Sequence, residues 1–157
     1  MTRPIFKALG VSAPRAINMK DIKMEADASI VVSVMRPSLL GNPFKSGSYL
    51  NLSTLKSSLS TICSFPGDQS DEEWVKSRLP NAYGLLLKYR ELGCPLGRSE
   101  AIQCYGEWLR EAVRCNPSYR STVLSLEGKV LGCCCKPKAC HADEIVKVFT
   151  EIKRGLL

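Results

Sequence analysis

The stretch KVLGCCCKPKACHAD, residues 129–143, decides the reading of the fold. Its first half is apolar and predicts a buried strand over 129–135. Lys136-Pro137-Lys138 predicts a turn, because proline cannot continue a strand ladder. From His141 to Arg154 the pattern is helical. Ile145, Val148, Phe149 and Ile152 recur at three and four residues, and Gly155 follows the end. Strand, tight turn and amphipathic helix in succession are the parts of an α/β domain.

Working outward, residues 29–35 (SIVVSVM) form a second predicted strand that ends at Arg36-Pro37. Its nearly continuous apolar character predicts burial on both faces, as in a central or parallel strand. Residues 16–19 predict a shorter strand. The intervening sequence is helical in pattern: a short helix at 52–62, then a helix opened by Ser70 with Glu73 as a capping box and stopped before Pro80. Two more follow, over 81–92 with Gly93 as terminator and over 99–115 with Ala101, Ile102, Tyr105, Trp108, Leu109, Ala112 and Val113 on one face. Asn116-Pro117 opens another, running to Gly128. The expected fold is a small Rossmann-like three-layer α/β domain with a short, mostly parallel sheet, in which strands 29–35 and 129–135 pair in parallel. In such sheets ligands sit beyond the carboxyl ends of the strands. The loop 36–44 and the turn 135–143 both follow such ends, so parallel pairing makes them converge.

The 157 residues suit a single domain, and the 45% apolar and 24% charged content excludes collagen-like, wholly disordered and multi-pass membrane classes. One histidine argues against mechanisms that need two. The net charge of +7 is uneven. Residues 1–24 hold five bases and one acid, and 129–157 hold six and three, which would attract nucleic acid or an anionic ligand. Residues 1–13 read as a flexible basic arm. With neither a secretory segment nor an apolar run near 20 residues, the expected location is cytoplasmic and reducing, with no membrane partner. The eight cysteines are accordingly expected as thiols, and Cys63, Cys94, Cys104, Cys115 and Cys134 as small packing residues.

Two constellations carry chemistry. Cys133, Cys135, Cys140 and His141 supply the ligand types of tetrahedral zinc, although their spacing is not that of a standard knuckle. Cys140 also precedes a helix N-terminus, where a thiol is acidified, and His141 and Asp143 are acid/base candidates beside it. The second constellation is anion-binding: the same helix N-terminus, with Arg36, Ser38, Gly41, Asn42, Arg98 and Lys136 as the surrounding contacts. No Gly-rich dinucleotide fingerprint or P-loop is present.

These motifs resemble the domain of unknown function 4326 family. Arg36-Pro37-Ser38-x-x-Gly41-Asn42-Pro43-Phe44 is similar to its R-P-S-x-W-G-N-P-F signature. Gly132-Cys133-x-Cys135-Lys136-Pro137-x-x-Cys140-His141-x-Asp143 is similar to its G-C-W-C-K-P-x-x-C-H-x-D motif. Arg98-Ser99-Glu100 and Tyr105-x-x-Trp108-Leu109 match helical elements between them, so the resemblance spans 29–153. It implies a phage or other viral source. The chain departs at Leu40 and Cys134, where the family usually has Trp, and residues 45–97 form a helical insertion.

The resulting expectation is a cleft between loop 36–44 and turn 135–143 that binds, and acts on, a nucleotide-type or other phosphorylated ligand. The alternatives are a non-enzymatic zinc module contacting nucleic acid or host protein, and a viral accessory protein that binds a host or viral partner through 45–97.

Overall fold

The computed structural model describes residues 13–18, 31–36, 38–133 and 140–157. Residues 1–12 of the basic arm, residues 29–30 of the predicted strand, and Cys134, Cys135 and Lys136 lie outside the described residues. The described chain is mixed α/β, with three strands and six helices among these residues. It falls into two compact units, one from Met1–Asn42 with Ser118–Leu157, the other Pro43–Pro117. The boundary cuts the predicted loop 36–44.

The first unit is built on a three-stranded sheet. Strands β1 (Arg15–Asn18) and β2 (Val31–Ser33) both pair in parallel with β3 (Val130–Cys133), in the order β1-β3-β2. Arg15 lies opposite Val130 and Asn18 opposite Cys133; on the other side Val31 lies opposite Val130. The parallel pairing of the two predicted strands is therefore present. All four β3 residues are buried because β3 has a neighbour on each side. β2 is an edge strand, with Val31 and Val32 half-buried and Ser33 exposed, so the expected two-sided burial of 29–35 is corrected. An apolar run reports that a strand is covered; it does not report which strand is central.

Helix α6 (His141–Lys153) packs on β1 and β3 through Ile145, Val148, Phe149 and Ile152, the predicted stripe. Helix α5 (Pro117–Leu124) stops four residues short of the predicted Gly128. Its backbone tightens to three-residue turns at Leu126 and Lys129, and Gly128, at φ 72°, closes that turn.

The second unit is helical: α1 (Leu52–Ser60), α2 (Asp71–Arg78), α3 (Pro80–Leu92) and α4 (Arg98–Cys115). Each start has a local cause. Asn51 caps α1 by accepting from the Thr54 N–H at 2.8 Å. The Ser70–Glu73 capping box opens α2 as predicted. Proline at the start of α3 needs no N–H there, and its next two amides, of Asn81 and Ala82, donate to the Glu107 carboxylate on α4 at 2.9 and 2.8 Å. Gly93 ends α3 at φ 67°. The predicted α4 face is buried apart from the half-buried Ile102, and the Trp108 indole N–H donates to the Ser58 carbonyl at 2.9 Å. Residues 45–97 thus pack with α4 rather than standing apart.

One expectation about the cysteines is corrected here. Cys63, after the α1 cap, and Cys115, the last residue of α4, are joined as a disulfide. Neither is a buried packing residue: Cys63 is half-buried and Cys115 exposed. Cys94 is also only half-buried, whereas Cys104 is buried as expected.

Leu131 is fully buried at the centre of β3. Leu131→Ala is expected to cost about 2–5 kcal/mol, read as a shift of the urea unfolding midpoint without a change of slope.

Candidate ligand-binding site

Parallel pairing places the carboxyl ends of β2 and β3 at one edge of the sheet, and the backbone there is tied across. The Val34 N–H continues the ladder beyond β2 by donating to the Gly132 carbonyl at 3.0 Å. The Val34 carbonyl meets Nε2 of His141, the first residue of α6, at 2.5 Å. A carbonyl oxygen only accepts, so Nε2 carries the proton and donates. Nδ1 is then the basic nitrogen, and it lies 3.9 Å from the Cys140 sulfur. This contact joins the chain just after β2 to the first residue of α6, while residues 134–139 of the expected turn lie outside the described residues.

The loop after β2 folds back on itself. Ser38 N–H donates to Met35 and Gly41 N–H to Ser38, each at 2.9 Å, giving two successive turns. A Cβ on Gly41 would lie 2.9 Å from Arg36 Cα and 3.0 Å from its nitrogen, so only glycine lets the loop close. The Arg36 guanidinium, on an exposed residue, donates through Nη1 to the Asn42 carbonyl at 2.9 Å. Leu40 and Asn42 are buried, so position 40 serves packing here. The Ser38 hydroxyl oxygen is buried with no hydrogen-bond partner among the described residues.

On the α6 side, Cys140 is buried and caps the helix. Its sulfur accepts from the Ala142 N–H at 3.4 Å, and its carbonyl accepts from Asp143 N–H at 3.1 Å. Burial pushes the His141 imidazole below its ordinary 6.5; the Val34 carbonyl opposes this, the Arg36 charge lowers it further, and the Asp143 charge raises it. Arg36 and Asp143 are therefore both within electrostatic reach of His141.

The structure gathers Arg36, Ser38, Gly41, Asn42, Cys140, His141 and Asp143 in the first unit. Arg98 belongs to the second unit, where it opens α4. Cys135 and Lys136 lie outside the described residues. Cys133 is buried at the end of β3. Among the described residues, the three metal-type ligand atoms that lie within 4.8 Å of one another are those of Cys63, Glu111 and Cys115, not those of Cys133, Cys140 and His141. Sequence reasoning missed that cluster and the Val34 carbonyl. Glu111 and Cys115 are four apart on one helix and could have been noticed; Cys63 and a backbone oxygen leave no sequence signal. None of the described helices is long and apolar enough to cross a membrane.

A family model for a domain of unknown function matches residues 17–151, nearly the whole chain. The chain belongs to the DUF4326 family. No curated protein and no solved structure matches it. The match to the DUF4326 model extends over the sheet, both halves of the site and the second unit together.

His141 yields a pH prediction. Below pH 6.5 the unfolded chain takes up a proton at His141 that the folded chain resists. The stability it contributes is present above that pH and is lost as the pH falls through the depressed folded value. His141→Gln, which keeps a donor toward Val34, is expected to flatten the loss of stability between pH 7 and pH 5 in urea titrations. Gly41→Ala is expected to displace Arg36 and cost about 1–3 kcal/mol, measured in the same assay.

Proposed function

We propose that the first unit is a Rossmann-like, three-layer α/β domain that binds a nucleotide-type or other phosphorylated ligand at the carboxyl edge of its sheet. The observation that carries this reading is the His141–Val34 contact, which brings the Arg36 loop and the start of α6 to one edge. Arg36 has five N–H donors and spends one on the Asn42 carbonyl; the others suit phosphate oxygens. Helix α6 adds the positive end of its dipole, while Asp143 and Glu144 in its first turn oppose an anion placed on the axis. The phosphate is therefore assigned to the Arg36 side, and Asp143 to a ribose-type hydroxyl. His141, with Nε2 committed to Val34, positions the start of α6 against the chain just after β2. If the ligand is processed, Asp143 is the better placed acid/base group, being half-buried where His141 and Cys140 are buried.

The test is calorimetric titration of the whole protein with nucleoside mono- and diphosphates and inorganic phosphate. Arg36→Ala is expected to weaken the binding nucleotide by about 10–100-fold, the worth of charge-assisted hydrogen bonds. Saturation with no heat and no thermal shift for any of these probes at millimolar concentration would remove the proposal.

A second reading, zinc, is favoured by one distance. Cys140 Sγ and His141 Nδ1, 3.9 Å apart, could share an ion with bonds of about 2.3 and 2.0 Å. It requires Cys135 or another donor to complete the set. Near-stoichiometric zinc in purified protein, lost in Cys140→Ser, would support it over nucleotide binding.

A further inference from the structure

We propose that Cys63 and Cys115 form a reversible redox site in the second unit, exchanging with low-molecular-weight thiols and their disulfides. The two residues are 52 apart in sequence, and their Cα atoms lie 6.4 Å apart across the bond. Cys115 is exposed and Cys63 half-buried, so a thiol from solvent reaches the bond. Cys104, Cys133 and Cys140 are buried and offer no such access.

The surroundings accommodate both states. The Cys115 sulfur lies 3.4 Å from the Ile62 carbonyl, so a thiol S–H has an acceptor waiting once the bond opens. Glu111, one helical turn before Cys115, places a carboxylate oxygen within 4.8 Å of both sulfurs. Alone, that charge would hinder a thiolate. Arg78 at 2.8 Å and Arg114 at 3.6 Å hold the carboxylate and offset it. Opening the bond does not undock the helices, because the Trp108–Ser58 hydrogen bond still joins α4 to α1.

The exchange balances. A small-molecule thiolate attacks one sulfur and forms a mixed disulfide, expelling the other as a protein thiolate. A second small-molecule thiolate then displaces the remaining protein sulfur. Two electrons pass to the protein, the small thiol leaves as its own disulfide, and Cys63 and Cys115 take up two protons.

The experiment equilibrates the full chain in glutathione buffers of graded reduced-to-oxidised ratio, traps free thiols by alkylation, and maps them by peptide mass. Cys63 and Cys115 are expected to lose alkylation together, with a linked 63–115 peptide, while Cys104 does not change. The melting temperature is expected to be about 5–15 °C higher in the oxidised form. Cys115→Ser and Cys63→Ser should each abolish that redox-dependent shift, so either suffices if the other fails to fold. Full alkylation of both thiols in oxidised glutathione alone, or only mixed glutathione adducts, would overturn the proposal. So would zinc that co-purifies on this pair and blocks the bond.

Discussion

A buried histidine whose charged form is disfavoured by burial ties the carboxyl end of β2 to the first turn of α6. Its Nε2 proton is spent on the Val34 carbonyl, just beyond the last residue of β2. A buried carbonyl without a donor is costly, and a buried imidazolium more so, so the neutral tautomer with the proton on Nε2 satisfies both demands at once. Everything at this edge is arranged around that bond. Cys140 is held beside the ring because it is the preceding residue and the helix cap. Arg36 comes two residues after Val34, and Gly41 lets the loop fold back against it. The functional proposal inherits its geometry from this contact, which would not exist had β2 and β3 paired antiparallel.

The second unit is held by a different logic. Its helices are joined at their ends by side chains from other helices: Glu107 caps α3, Trp108 bonds the last turn of α1, and the disulfide links the ends of α1 and α4. Glu111 is a buried carboxylate, and it is tolerated because two guanidiniums answer it. By contrast the half-exposed pair Lys56–Asp71 at 3.0 Å is expected to contribute little. The unit's stability rests on apolar faces and end-to-end ties.

Much of this was legible in residues whose cause is local. The Ser70–Glu73 box, Gly93, the apolar face of α4 and the stripe of α6 were all read correctly, because caps, left-handed glycines and three-to-four spacing act within a few residues. The candidate site was half legible. Arg36, Gly41, Cys140 and His141 were marked by their residue types and motif spacing. The role of Gly41 as a close-approach position, and of His141 as a donor to a backbone oxygen, depended on a neighbour the sequence does not name.

The sequence by itself determined the presence of the helices, the Ser70–Glu73 box and the Gly93 stop, the parallel relation of its two main strands and the family. Only the tertiary structure decided that β3 rather than β2 is central, that Cys63 finds Cys115 across 52 residues, and that Val34 fixes the His141 tautomer. The division has one physical reason. Periodicity, propensity and capping are properties of neighbouring residues. Strand rank, sulfur pairing and the partner of a buried polar atom are properties of which distant segments share a boundary after the chain has closed.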